Sequence, residues 1–351
     1  MKTIHKWVLS VAGLCLFASG CDSGELYGDE SDAAEMTIVF SHNQPVNSPE
    51  HAGAMKFEEV VEAESDGEIA VELYPAGQLG SLREQVETTQ MGEINITLQP
   101  SAVVMPFASE VEVLDLPYLW PTDEEKMYEM LDGDIGQDIL DTLDSSMFKG
   151  LGYWPGGYKL ITTKDQAVDS PEDLEGLTMR VMESPPLIKQ YTHWGGNAVP
   201  ITYAEVYNAL QQGIVDGQEN PLQTIYLNNY HEIQNYAVES KHGAMTYLIL
   251  ANLEWFNSLD EGTQDLIVRA EEEGRTASRE MLKNTESEYK DNIIASDINY
   301  YELTDEEIEY FRAQSVDLWY EIYGTDERLP LLERIIDAND EINDDLRRDG
   351  E

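Results

Sequence analysis

Cysteine is nearly absent: Cys15 and Cys21 are the only two in 351 residues. Cys15 falls inside an export-signal pattern and leaves with it, so the mature body has no internal disulfide and no thiol nucleophile. Positive charge is scarce as well. Against 69 Asp and Glu stand 21 Lys and Arg, a formal net charge of -48 at pH 7. A surface so acidic repels phosphate backbones and anionic lipid heads, which argues against nucleic acid and against polybasic membrane binding. The signatures of common chemistry are also missing. The chain has no phosphate-binding P-loop, no G-x-G-x-x-G fingerprint, no G-x-S-x-G elbow, no H-E-x-x-H and no C-x-x-C. His42, His51, His193, His231 and His242 lack metal-ligand spacing and read as structural or surface residues. The Asp/Asn-rich stretch 337–345 lacks the central glycine of a calcium loop. Acidic pairs are so frequent that any two could imitate an acid/base dyad, so they discriminate nothing. Neither a metal nor a cofactor is expected.

What is present begins with an address. Lys2, His5 and Lys6 precede an apolar run from Trp7 to Phe17, too short to cross a bilayer as a finished helix, and Ala18, Ser19 and Gly20 lead into Cys21. "LFASGC" resembles a bacterial lipobox, with Ala18 where Leu is usual, and cleavage there would leave Cys21 at the amino terminus carrying lipid. Residues 1–21 therefore read as a signal peptide with lipobox. Residues 22–35, acidic and without apolar periodicity, read as a tether. The acids of the body are dispersed over helix faces such as Glu271–Glu273. That dispersal suits concentrated salt, where a Debye length of about 3 Å at 1 M removes self-repulsion. An ordinary acidic exported protein, or a surface made for a cationic partner, has the same composition.

From Met36 the pattern alternates. Thr37–Ser41 reads as a strand, Ser48 and Pro49 open a helix, Ile69–Tyr74 is a strand, Ser81 and Glu84 form a capping box, and Ile94–Gln99 is a strand. This βαβαβ order predicts a mostly parallel sheet with helices on its faces. A second alternating block begins near Leu160. Ser170 and Asp173 cap a short helix, Leu177–Met182 is a strand, and a helix from about Pro186, a strand near Val199 and a helix over 203–212 follow. Thr202 and Glu205 have capping-box spacing for that last helix, and Gly213 ends it. Local chemistry then predicts a short strand Ile214–Asp216, a glycine turn and a stop at Pro221. Asp260–Ala295 reads as one long helix able to lie across both blocks, and Thr304 and Glu307 cap another. The expected fold is α/β with two lobes and a cleft between them. Lobe I takes 36–158 with about 245–285, lobe II takes 159–244 with about 286–336, and 337–351 is a charged tail that frays.

One residue contradicts its surroundings. Arg180 sits inside an apolar strand, toward the carboxyl side of a parallel sheet, where α/β proteins place ligands. A buried guanidinium needs an anion, either a neighbouring Asp or Glu or a bound carboxylate that accepts two parallel hydrogen bonds.

The stretches "SPEDLEGLTMRVMESP" (170–185), "ITYAEVYNALQQGIVDGQENPL" (201–222), "YPAGQLGS" (74–81) and "LDLPYLW" (114–120) resemble the solute-binding subunits of TRAP transporters, the DctP type, in order from about Met36 to Arg328. The resemblance implies a two-lobed, periplasmic-binding-protein-like fold that closes on a small organic acid and delivers it to a small and a large membrane subunit driven by an ion gradient. It implies that Arg180 pairs with the ligand carboxylate, that Asn220 of "QENP" contacts the ligand, and that Tyr203 covers it. The family's usual Arg after Gly and an aromatic is here Lys159, following Gly157 and Tyr158, a point charge without the planar fork. Tyr158, Lys159, Asn43 and Gln99 complete the candidate ligand-binding set. Gln223 stands where an ectoine-type aromatic cage would need a ring. The expected ligand is a mono- or dicarboxylate or a sugar acid, without covalent chemistry by the protein. A ligand sensor on the same fold and a secreted carboxylate-dependent hydrolase or lyase are the competing readings.

The lipobox reading predicts that labelled fatty acid enters the wild-type chain in a bacterial host and is absent from Cys21→Ser. Label that survives the substitution would remove the anchor.

Overall fold

The computed structural model describes residues 34–342. The signal peptide, the lipobox at Cys21, nearly all of the tether and residues 343–351 lie outside them. The first block folds as its spacing predicts. Strand β1 (Met36–Ser41) leads to helix α1 (Pro49–Glu64), whose Ser48 cap accepts from the His51 N–H at 3.2 Å. Strand β2 (Ile69–Tyr74) is followed by α2 (Leu82–Gln90), which starts in the Ser81/Glu84 capping box, and by β3 (Ile96–Pro100). The strands pair in parallel in the order β2-β1-β3.

Helices α3 (Ser101–Val104), α4 (Glu124–Asp132) and α5 (Asp134–Thr142) lead into β4 (Phe148–Thr163), a 16-residue strand that serves two sheets. Its first half pairs antiparallel with β9, and its last residues pair with β7 and β8, with irregularities at Gly150/Gly152 and Pro155/Tyr158. Spacing alone starts this strand only near Leu160, because Gly150, Gly152, Pro155, Gly156 and Gly157 break any strand pattern. The second sheet adds β5 (Thr178–Val181), helix α6 (Pro185–His193), β6 (Asn197–Pro200), α7 (Val206–Gln211), β7 (Gly217–Pro221), α8 (Leu222–Leu227) and β8 (Tyr236–Glu239). Its parallel neighbours run β7-β5-β6. Strand β9 (Ala244–Asn252) then returns, buried throughout, between β3 and β4 and antiparallel to both. The first sheet is therefore mixed, not wholly parallel.

Two local expectations are corrected. Tyr203–Glu205 is a 3-10 turn, and the Thr202 hydroxyl donates to the Glu205 carboxylate at 2.7 Å without capping the backbone, so α7 starts only at Val206. The strand after Gly213 is the polar segment Gly217–Pro221 and not Ile214–Asp216. Neighbours on both sides, β4 and β5, complete its backbone hydrogen bonds, and that outweighs the turn-forming character of its side chains.

Helix α9 (Leu253–Ser258) precedes α10 (Glu261–Ala295), which is capped by Asp260 and at 35 residues is about 52 Å long. Helix α10 touches α1 and β4 near one end and α8 and β10 (Asn299–Glu302) toward the other, so it lies along both sheets as expected. Helix α11 (Asp305–Tyr323) starts in the Thr304/Glu307 capping box, and α12 (Leu329–Ala338) follows. The part of the tail within the described residues does not fray. Asn339 Nδ2 donates to the Leu119 carbonyl at 2.9 Å, and the Glu341 carboxylate accepts from the Thr122 N–H and from Arg312.

Helices α1 and α10 cross closely over the Trp154 ring. A Cβ on Gly274 would stand 2.7 Å from Trp154 and 2.8 Å from the Gly53 carbonyl oxygen, inside van der Waals contact. Gly274→Ala is expected to lower stability by about 1–3 kcal/mol through overpacking, although alanine favours a helix. Gly262→Ala, at the exposed start of α10, is expected to leave the urea midpoint unchanged or raised. Equal effects at the two glycines would show that the crossing is loosely packed.

Candidate functional site

Alternation along three strands sorts the polar residues. Met179 and Val181 of β5 enter the large apolar core, so Arg180 between them points the other way. Its neighbour on β7 is Gln218. Gln218 and Asn220 therefore share the Arg180 face, and Glu219 takes the opposite one. On β4, Leu160 opposes Asn220 and Ile161 opposes Glu219, which puts Lys159 on the Glu219 face.

Arg180 is 2% exposed, and its Nε donates to the Ile201 carbonyl at 2.9 Å. Among the described residues no carboxylate lies within ion-pair distance of it, and burial lowers its pKa from the ordinary value. Asn43, Arg83, Glu183, Thr202 and Tyr203 line a cleft with it. The Tyr203 hydroxyl accepts from Asn228 Nδ2 at 2.9 Å, and burial pushes the phenol up to about 12. Asn43 follows β1, so residues of both sheets meet here. Gln85 Nε2 donates to Asn43 Oδ1 at 2.6 Å, and Gln99 at the end of β3 lies behind Gln85, its own Nε2 donating to Thr97 at 2.8 Å. Asn220 Nδ2 donates to Gln218 Oε1.

The sequence-derived candidates thus divide. Arg180, Tyr203 and Asn43 line one cleft, Gln99 connects to it through Gln85, and Asn220 shares a sheet face with Arg180. Lys159 and Tyr158 are not brought to this group, a correction that follows from strand alternation and the irregularity before Tyr158. Lys159 Nζ is held by Asp115 at 3.1 Å and Glu219 at 3.0 Å, and the Tyr158 hydroxyl donates to the Pro121 carbonyl at 2.7 Å. Sequence reasoning missed Arg83 and Glu50. Arg83, paired with Glu87 at 3.0 Å, is an ordinary helix-surface residue by spacing. Glu50 stands in the first turn of α1, where an acid is already accounted for by the helix dipole. In the fold it is fully buried, and Gln223 Nε2 donates to its Oε1 at 2.6 Å.

Residues 40–326 match the family profile described as bacterial extracellular solute-binding protein, family 7. The chain belongs to that family. It is similar to the C4-dicarboxylate-binding protein DctB of Bacillus subtilis, 31% identical over 288 residues that cover 80% of this chain and 81% of that protein. It is also similar to the C4-dicarboxylate-binding periplasmic protein DctP of Rhodobacter capsulatus, 30% identical over 277 residues, covering 78% and 83%. Among solved structures, the TRAP periplasmic solute-binding protein of Anaerococcus prevotii with bound D-glucuronate superposes with a TM-score of 0.83 at 29% identity, covering 87% of this chain and 99% of that one. Members of the family are extracellular binding proteins, and the present chain is accordingly an exported two-lobed solute-binding protein.

In this solute-binding protein the face opposite Arg180 carries a buried ionic network. Glu219 accepts from Lys159, from the Tyr191 hydroxyl at 3.0 Å and from His242 Nε2 at 2.6 Å, while His242 Nδ1 meets Ser240 Oγ at 2.6 Å. Asp115, the second partner of Lys159, accepts from Ser101. Burial by itself would raise the Glu219 pKa, but Lys159 and His242 outweigh it and hold the carboxylate below its usual range. For Lys159, burial acts downward and is outweighed by Glu219 and Asp115, which raise it. Ser240 is fully buried, so this hydroxyl–imidazole–carboxylate line is structural and not a nucleophile open to a substrate. Lys159→Met would leave two buried carboxylates without their cation and is expected to cost about 3–5 kcal/mol of stability, measured by urea unfolding. A loss under about 1 kcal/mol would show that the network is wet or easily rearranged.

Proposed function

We propose that this protein is the extracytoplasmic receptor of a TRAP transporter, capturing a small organic acid anion and passing it to small and large membrane subunits. The observation that carries the reading is the Arg180 guanidinium, buried at the carboxyl side of a parallel sheet, on a cleft, with no protein carboxylate in ion-pair distance among the described residues. A ligand carboxylate supplies the missing anion through two parallel hydrogen bonds. Tyr203 covers it, and Asn220 and Asn43 position it from β7 and from the end of β1. Residues 36–158 with about 245–285 close as one lobe on 159–244 with about 286–336, β4 being the shared strand. A relative that binds C4-dicarboxylates and a structural relative holding D-glucuronate support a carboxylate ligand. Cys21 carries the lipid that keeps the receptor at the membrane, and the protein releases its ligand chemically unchanged.

The test is calorimetric titration with succinate and with D-glucuronate. Arg180→Lys keeps the charge and loses the fork, and is expected to cost about 2–5 kcal/mol of binding. Asn220→Ala is expected to cost about 1–3 kcal/mol. Unchanged affinity in a folded Arg180→Lys variant would make Arg180 a structural residue and place the ligand elsewhere.

A further inference from the structure

The segment YPAGQLGS (74–81) joins the end of β2 to the cap of α2, and the reading above gives it no role. It wraps Asn43, the residue that follows β1 and lines the cleft. The Gly80 carbonyl accepts from Gln85 Nε2 at 2.9 Å and from Asn43 Nδ2 at 3.3 Å. A backbone carbonyl only accepts, so both side-chain amides must turn their nitrogen toward it. The other Gln85 Nε2 proton goes to Asn43 Oδ1 at 2.6 Å. Gln85 is fully buried and held from behind, where Gln99 Nε2 lies 3.5 Å from its Oε1 and donates to Thr97 Oγ1 at 2.8 Å. Thr97 spends its own proton on the Ser41 carbonyl at 3.2 Å, a second acceptor that cannot reverse. Holding this direction leaves Gln99 Oε1 buried without a partner, a cost that the packing alone does not require. Gly77, at φ +72, completes the cradle: a Cβ there would crowd Asn43 Nδ2 at 3.1 Å. With Oδ1 given to Gln85 and one Nδ2 proton to Gly80, what Asn43 has left for the cleft is an N–H donor.

Resting on the reading that the Arg180 cleft holds an organic acid, we propose that Gln85 is a positioning residue that fixes the polarity of the Asn43 amide, so that Asn43 meets a ligand oxygen as a donor. Gln85 does not line the cleft and acts only through Asn43. An asparagine amide released from such a partner exchanges its oxygen and nitrogen by a half-turn at little steric cost, and in the turned state a ligand oxygen meets Oδ1, acceptor against acceptor. The Gly80 carbonyl and Gln85 remove that state before the ligand arrives, which is preorganisation of a donor. Arg180 from the second sheet and Asn43 from the first then both offer donors to the same anion.

Neutron diffraction from deuterated crystals of the ligand-free protein reads the amide directly: Asn43 Oδ1 is expected toward Gln85, and the reverse orientation would overturn the proposal. The binding arm titrates succinate and D-glucuronate calorimetrically into the wild type, Gln85→Met, Asn43→Ala and the double variant, with melting curves to confirm folding. Gln85→Met keeps the volume and loses the donor. It is expected to weaken each acid that the wild type binds by about fivefold, the worth of one hydrogen bond, and to have no further effect in the Asn43→Ala background. A merely structural Gln85 gives the same loss in both backgrounds, and that additivity, like unchanged affinity in folded Gln85→Met, would make Gln85 a packing residue. If Gln85→Met does not fold, Gln85→Glu takes its place: its carboxylate accepts where the amide donated, it is expected to weaken binding further, and the loss it keeps in the Asn43→Ala background measures its charge alone. A loss no larger beside Asn43 than in that background would again overturn the proposal. Failure of the underlying carboxylate reading is separate: it shows as undiminished binding in Arg180→Lys or as no binding of either acid by the wild type, and the diffraction result still decides which way the amide faces.

Discussion

A buried ammonium between two carboxylates is the constraint on which the site depends. Lys159 ties β4 to Glu219 of β7 and to Asp115, which ends the 3-10 segment Ser109–Asp115. Buried ions are tolerated only when paired and hydrogen-bonded, and Tyr191, His242 and Ser101 supply the remaining contacts. The consequence reaches across the sheet. Strand alternation puts Glu219 on the face opposite Arg180, where it pairs with Lys159 and His242, so it makes no direct contact with the guanidinium, which stays on the other face.

The same strand joins the two lobes. Its first half is held by β9 and its last residues by β7 and β8, and the irregularity between Pro155 and Tyr158 falls between them. Helix α10 lies along both sheets and is pinned near the first by the Gly53/Gly274 crossing over Trp154. Trp154 in turn donates to Glu271 of α10 at 3.0 Å, so strand and helix are fastened where they cross. The large apolar cluster takes residues from both sheets, Phe40 and Leu248 of the first with Met179 and Val181 of the second, and a smaller one around Leu160, Val206 and Ile293 belongs to the second block alone.

Much of the scaffold was legible because its signals are local. Ser48–Pro49, Ser81 with Glu84, Asp260 and Thr304 with Glu307 each start a helix where the side-chain chemistry says one should start. Strand β9 was not read, and the glycine-rich start of β4 was not read, because their partners are distant in sequence. Gly217–Pro221 looked like a turn for the same reason: only β4 and β5 on either side make it a strand.

By itself the sequence determined the export address, the acidic surface, the alternating α/β order and the presence of one guanidinium in an apolar strand, since each of these is written in neighbouring residues. Only the tertiary structure decided which polar groups meet. Lys159 and Arg180 are both buried cations near the same strands, yet one is neutralised by the protein and the other faces a cleft. Glu50 and Gln223 lie 173 residues apart and become one hydrogen-bonded pair, Gln223 donating to Glu50. The physical reason is that side-chain alternation along a strand is local, whereas the register between strands, and so which side chains share a face, depends on packing of the whole body.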